Sequence, residues 1–162
     1  MTRGAAGGVR LDLSERRRVH VVAAGGAGMS GIATILAQQG HEVTGSDLAE
    51  GPALAALRRL GVSVTVGHAP EAVQGADAVV VSTAVPADDP EVVEAERLGI
   101  PVLHRIDLLP SFAARQPFLS VSGTHGKTTT SSMLAAALRG AGADPSFLVG
   151  ARVPVLGAAA GH

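Results

Sequence analysis

Cysteine is absent from the 162 residues, which removes disulfides, thiolate zinc sites, iron–sulfur clusters and cysteine nucleophiles from consideration. Tryptophan and tyrosine are absent as well, and three phenylalanines cannot build the stacking platforms that hold single-stranded nucleic acid. An excess of either charge is also lacking. Lys and Arg number 13 against 14 Asp and Glu, a net charge of −1, so no basic nucleic-acid surface is implied. The six histidines lie far apart in sequence, at 20, 41, 68, 104, 125 and 162, with no H-E-x-x-H or other short pairing that would prefigure a metal site. Long apolar runs are missing too. The one that follows Arg16-Arg17-Arg18 is broken by glycines within a few residues, so neither a signal peptide, a twin-arginine leader nor a membrane span is read, and the cytoplasm is the expected compartment.

What the chain does have is aliphatic residues and glycine. Hydrophobic residues make up 46% and charged residues 17%, enough for a core built mostly from Val, Leu, Ile and Ala. Residues 1–17 read as a flexible leader, since they open on Met1-Thr-Arg-Gly-Ala-Ala-Gly-Gly8. Short Val-rich runs then alternate with segments of helical spacing. Strands are expected at Val19–Ala24, Glu42–Ser46, Val62–Val66, Ala78–Ser82 and Ile100–Leu103, with helices at Gly28–Gln39, Pro52–Leu60 and Asp89–Leu98. This alternation predicts an α/β fold with a Rossmann-like parallel sheet over 18–115. Arg115-Gln116-Pro117 reads as a linker. A second β-loop-α unit over 116–162 follows, with strands expected at Phe118–Ser122 and Ala143–Gly150, a helix to about Arg139, and no closing element in the Gly/Ala-rich end.

Two glycine loops carry the chemistry. Gly25-Gly26-Ala27-Gly28-Met29-Ser30-Gly31 lies between a strand and a helix, and Gly26, Gly28 and Gly31 satisfy G-x-G-x-x-G. Residues without side chains let the backbone approach a pyrophosphate, whose charge is met by free N–H groups and the positive end of the helix. The alternative register would need glycines at 23, 25 and 28, but position 23 is Ala. Asp47 ends the next strand, where a dinucleotide enzyme would bind a ribose hydroxyl. Without a ligand, the same loop would be a glycine-dense turn capped by an Asp.

The second loop, Gly123-Thr124-His125-Gly126-Lys127-Thr128-Thr129, ends in G-K-T, again between strand and helix. Lys127 can reach the β and γ phosphates of a nucleotide and the Thr128 hydroxyl can ligate Mg²⁺, so both are candidate catalytic residues. The spacing departs from G-x-x-x-x-G-K-[ST], because position 121 is Val. After Thr130 the one acidic residue is Asp144, so further carboxylate ligands for Mg²⁺ must come from elsewhere, and this chain by itself is not expected to complete a reaction.

Taken together, the residues resemble the Mur ligases of peptidoglycan synthesis. The resemblance covers about 18–151 and rests on His20, Gly25-Gly-Ala-Gly-Met-Ser-Gly-Ile-Ala33, Gly45-Ser-Asp47, Gly67-His68, Val79-Val-Val-Ser-Thr-Ala-Val85, Ile100-Pro-Val102, Gly123-Thr-His-Gly-Lys-Thr-Thr-Thr130 and Asp144-Pro145. It implies that the first domain binds UDP-N-acetylmuramate, and that 116–162 begins the ATP-binding central domain. It also implies an ATP-dependent reaction in which the muramyl carboxylate becomes an acyl phosphate and the amine of L-alanine displaces the phosphate. By the same resemblance Gly25, Gly26, Ala27, Gly28, Met29 and Ser30 would face the diphosphate, with Asp47, His68, Ser82 and Thr83 near the uridine and sugar. Ala23-Ala24 stands where the family usually has Gly-Ile. A recycling ligase that adds a preformed peptide to the same sugar nucleotide shares the second loop. An NAD-dependent oxidoreductase would leave Lys127 without a role, and a UDP-sugar-binding module without turnover would use the first loop only.

Overall fold

The valine-rich run after Arg18 is buried on both faces, as a central parallel strand must be. The computed structural model describes residues 2–3, 9–114, 117–153 and 158–161. Two short segments, β1 (Thr2–Arg3) and β2 (Val9–Arg10), pair antiparallel. The alternation then runs β3 (Arg18–Val21), α1 (Ala27–Gln38), β4 (Glu42–Asp47), α2 (Pro52–Arg59), β5 (Ser63–Val66), β6 (Ala78–Val81), α3 (Pro90–Arg97) and β7 (Val102–His104). The five strands β3–β7 form one parallel sheet in the order β5-β4-β3-β6-β7. Strand order therefore reverses at β3, the arrangement of a Rossmann-like doubly wound sheet.

Two hydrophobic clusters flank the sheet. Val19, Val21, Ile32, Leu36, Leu54, Leu57 and Leu103 belong to the first, and Val22, Val79, Val81, Val92 and Ala95 to the second. The expected leader extends too far along the chain: Leu11 and Leu13 are buried in the first cluster, and Arg17 holds the carbonyl of Asp12 through Nε. Two leucines at i, i+2 place both side chains against the core, a signal hidden behind the flanking charges.

After α4 (Leu109–Ala113) the expected linker residues Arg115 and Gln116 lie outside the described residues. The second unit departs from expectation at both ends. Phe118 to Ser122 forms no strand, because among the described residues no strand lies beside it to complete the ladder. Then come α5 (Lys127–Gly140), β8 (Phe147–Val153) and β9 (Ala158–Gly161), the last two an antiparallel pair. The Gly/Ala-rich end thus supplies a strand after all. Its small residues give no β-propensity signal, yet Ala160 is buried in the first cluster against α1. Phe147 is likewise buried, with Ala135 and Val149, and Arg139 stacks 5.1 Å from its ring centroid. No helix among the described residues is long and apolar enough to cross a membrane.

Candidate functional site

Parallel strands aim all their C-terminal ends at one edge, and a reversal of strand order opens a crevice there. At that edge the fold gathers the loop after β3, Asp47 at the end of β4, Gly67-His68 after β5, Ser82-Thr83 after β6, and His104-Arg105 at the end of β7. Residues separated by more than eighty positions in sequence meet because of topology alone.

The loop after β3 is tied to both neighbouring strands. Val22 N–H donates to Val80 O at 3.0 Å and Ala24 N–H to Ser46 O at 2.8 Å. Ala23 turns the chain with φ +55°, and Gly26 N–H closes the turn onto its carbonyl at 3.2 Å. Left-handed backbone is where a glycine is favoured. The tight-turn position of the fingerprint is therefore 23, occupied by alanine, and the register is 23, 25 and 28 rather than 26, 28 and 31. Each glycine then has its own reason. A Cβ on Gly25 would stand 2.7 Å from Asp47 Oδ2, and one on Gly28 would overlap the guanidinium of Arg105. Gly31, a turn further along α1, faces Leu148 and Ala160 of the β8–β9 hairpin and belongs to packing.

Asp47 accepts the Gly25 N–H at 2.8 Å through Oδ2 and the Ala49 N–H at 3.2 Å through Oδ1. Met29 is buried beneath the loop, while Gly26 and Ala27 are exposed and Ser30, half-buried, bonds the Ala27 carbonyl at 3.2 Å. Thr83 is exposed at the same edge, and Ser82 Oγ accepts the Ala84 N–H at 3.3 Å. His68 is engaged elsewhere: its Nδ1 pairs with Asp89, and its buried Nε2 has no partner among the described residues. Asp89 caps α3 through the Glu91 N–H at 2.9 Å.

Glu91, fully buried, was not singled out by the sequence. It receives Ser46 Oγ at 2.5 Å and the Ala69 N–H at 3.2 Å, and its Oε2 lies 3.3 Å from His20 Nε2. His20 Nδ1 in turn meets Thr44 Oγ1 at 2.8 Å. His68, Asp89 and Glu91 bring potential ligand atoms within 4.8 Å of one another. Both oxygens of each carboxylate are already engaged by protein donors, so this network acts as a clasp joining β3, β4, the segment after β5 and α3.

In the second loop Gly126 has φ +77° and precedes the first residue of α5, Lys127. Lys127 Nζ donates to the carbonyls of Gly123 at 2.5 Å and Thr124 at 3.2 Å, which curls the loop round its own ammonium. Thr124, His125, Thr128 and Thr129 are all exposed. Its amides lie at a helix N-terminus beside a cation, an arrangement that can hold a phosphate.

The family model described as "Mur ligase family, catalytic domain" matches residues 18–117. The chain belongs to the Mur ligase family. This Mur ligase chain is 49% identical over 152 residues to the UDP-N-acetylmuramate--L-alanine ligase of Renibacterium salmoninarum, covering 94% of the chain and 33% of the relative. It is 51% identical over 141 residues to the enzyme of the same name from Chloroflexus aggregans, covering 87% and 30%. Among solved structures, it matches the UDP-N-acetylmuramate-alanine ligase MurC of Thermotoga maritima with TM-score 0.80 and 30% identity, over 90% of the chain and 35% of that structure. The UDP-N-acetylmuramate:L-alanyl-gamma-D-glutamyl-meso-diaminopimelate ligase of Neisseria meningitides follows with TM-score 0.77 and 32% identity, over 90% and 46%. The Mur ligase chain spans about a third of the length of the curated relatives it matches.

Proposed function

We infer that this chain carries the sugar-nucleotide site and the ATP phosphate loop of a ligase that joins L-alanine to UDP-N-acetylmuramate in peptidoglycan synthesis. The observation that carries the reading is the pair of glycine loops, each at a helix N-terminus and the first at the reversal point of the sheet. Two such loops provide for two phosphorylated ligands, and an oxidoreductase would need only the first. The names of the relatives above support the choice of L-alanine ligase over the recycling ligase.

In this reading Gly25 to Ser30 line the diphosphate of the sugar nucleotide, and Asp47 fixes the loop from the end of β4. Ser82 and Thr83 stand at the sugar side. The second loop, Gly123 to Thr129, holds the ATP phosphates through its amides and Lys127, and Thr128 would supply one oxygen ligand to Mg²⁺. Mg²⁺, where bound, neutralises phosphate charge. The muramyl carboxylate oxygen attacks the γ-phosphorus, the bond to ADP breaks, and an acyl phosphate results. The amine of L-alanine then attacks the acyl carbon, phosphate leaves and an amide forms. Lys127 serves by positioning and by offsetting charge at the transferring phosphoryl group. ATP and the nucleotide sugar are cytoplasmic metabolites in this reading, so the reaction runs there.

Calorimetry of the chain with UDP-N-acetylmuramate, with NAD and with ATP tests it directly. Saturable one-to-one binding of UDP-N-acetylmuramate and none of NAD is the expected result. Binding of NAD with no response to the sugar nucleotide would overturn the reading.

A further inference from the structure

Glu91 is fully buried, so its carboxylate cannot meet a ligand at the edge of the sheet. Its bonds nevertheless land one residue away from the strand ends gathered there. Oε2 accepts the Ser46 hydroxyl at 2.5 Å, and Ser46 precedes Asp47; Oε1 accepts the Ala69 N–H at 3.2 Å, and Ala69 follows His68. Ser46 is itself the joint between β4 and the glycine loop. Its carbonyl receives the Ala24 N–H at 2.8 Å, while the next residue, Asp47, receives the Gly25 N–H at 2.8 Å. From β3, His20 Nε2 stands 3.3 Å from the same Oε2, and Thr44 Oγ1 holds the other ring nitrogen at 2.8 Å. Asp89 accepts the Glu91 N–H at 2.9 Å and so fixes the start of α3, from which the side chain reaches. With donors on both oxygens, the carboxylate is held in one orientation.

We propose that Glu91 is a positioning residue of the sugar-nucleotide site: through the Ser46 hydroxyl it holds the end of β4, and with it Asp47 and the glycine loop, in the geometry that binds ligand. This rests on the reading of the first loop as the UDP-sugar site and adds to it a residue that never touches the ligand. Stability alone is a poor reason for such a group, because taking a carboxylate out of water is costly and apolar side chains of similar volume often stabilise a core as well or better. What a carboxylate supplies, and an apolar side chain does not, is direction. A binding loop has to be held to within about 0.5 Å of its productive geometry by bonds from the residues behind it. The Ser46 contact has the length of a charge-assisted O–H···O⁻ bond, the strongest kind in the set, so β4 is the strand that Glu91 grips most firmly.

The experiment is calorimetry of the whole chain with UDP-N-acetylmuramate, at a temperature well below every melting point. Wild type is compared with Ser46→Ala, Glu91→Met, Glu91→Gln, the double variant Glu91→Met/Ser46→Ala and Val92→Ala, with thermal melting of each. Val92 follows Glu91 in α3 and is buried in the second cluster, so Val92→Ala loosens the same helix without removing a bond of the clasp. Ser46→Ala and Glu91→Met are each expected to weaken binding roughly three- to tenfold, the span of one hydrogen bond, and the double variant should be no weaker than Glu91→Met, since both changes break one link. Glu91→Gln, which keeps one acceptor oxygen, should fall between Glu91→Met and wild type. Val92→Ala should lower the melting temperature and leave affinity unchanged. Wild-type affinity in Ser46→Ala, additive losses in the double variant, or an equal loss in Val92→Ala would overturn the proposal, and Ser46→Ala decides it alone if the Glu91 variants do not fold. Wild type that fails to bind UDP-N-acetylmuramate would remove the sugar-nucleotide reading and this proposal with it, whereas wild-type binding that the variants leave unchanged would remove the proposal only.

Discussion

Asp47 reaches from the end of β4 to accept the backbone N–H of Gly25 at 2.8 Å, so the neighbouring strand holds the glycine loop in shape together with the loop's own turn at Ala23. Gly25→Ala would put a Cβ 2.7 Å from that carboxylate oxygen and force the two apart. Loss of a hydrogen bond to a charged group is expected to cost about 1.5–3 kcal/mol. Urea unfolding should show the lowered midpoint, and Asp47→Asn, which keeps one acceptor oxygen, should be milder. A Gly25→Ala chain as stable as wild type would mean that loop and strand are not coupled.

Ala23 adopts φ +55°, a conformation that costs an L-residue roughly 1–2 kcal/mol relative to glycine. Glycine at 23 would relieve that strain but would add about 0.4–1 kcal/mol of unfolded-state entropy. Ala23→Gly is therefore expected to leave stability unchanged or to raise it slightly. Ala23→Val places a β-branched residue where it is a genuine outlier, and should lower the melting temperature by several degrees. Equal melting temperatures for the two variants would contradict the backbone geometry.

Glu91 is the hub of the clasp beneath the site, and its carboxylate satisfies Ser46, His20 and the Ala69 N–H together. Glu91→Ala leaves the Ser46 hydroxyl and the His20 ring buried without that acceptor, and each such unsatisfied group costs about 1–3 kcal/mol. Glu91→Gln keeps the shape and one carbonyl oxygen, so it should lose less. Chemical denaturation of both variants measures the difference. Similar losses would mean that volume rather than hydrogen bonding is what Glu91 provides.

β3 and β6 were legible as Val runs buried on both faces, and β4 and β5 by the aspartate and glycine that end or follow them. Ends shifted by one to three residues, as at Ala24 against Val21, because the last residues of a run already belong to the turn. Asp47 was found from its distance along the chain. The contact of Arg105 with Gly28 was not, since no local pattern marks a cation that packs on a loop almost eighty residues earlier. Glu91 was hidden for a different reason: a glutamate in the first turn of a helix reads as an ordinary solvent-facing charge, and only the fold buries it. His68 was legible as a strand-end residue but not as the partner of Asp89. The fingerprint register was misjudged because Ala23 keeps a glycine's conformation without being one.

Lys127 bonds two carbonyls of its own loop, so the loop is shaped around the ammonium that would meet ATP. Lys127→Ala in a full-length enzyme carrying this chain is expected to lower amide formation by a few kcal/mol at the transition state, about a hundredfold or more. Affinity for UDP-N-acetylmuramate should not change, since the site proposed for it lies on the other unit. Product formation followed by chromatography, beside calorimetry, separates the two effects. Near-normal turnover would remove the second loop from the ATP site.

Gly31 tests whether the two units are packed together, since in α1 it faces Leu148 of β8 and Ala160 of β9. Two effects of opposite sign meet there. Glycine inside a helix is worse than alanine by about 0.8–1 kcal/mol, so Gly31→Ala would stabilise α1 if the helix stood alone. With the hairpin docked, the new methyl overlaps the tip of Leu148 and comes within 3.0 Å of the Ala160 Cβ, and overpacking of this kind costs about 1–3 kcal/mol. Leu148 can yield because its side chain is 40% exposed, whereas Ala160 is buried and has no rotamer to change. Gly31→Ala is therefore expected to loosen the hairpin: hydrogen exchange across 147–149 should speed up while β3 to β6 stay protected. Combining it with Ala160→Gly, which removes the Cβ that cannot move, should return much of the loss, a positive coupling that a double-mutant cycle measures directly. A Gly31→Ala chain that is more stable than wild type, with unchanged exchange in β8, would show that the hairpin does not rest on α1 in solution.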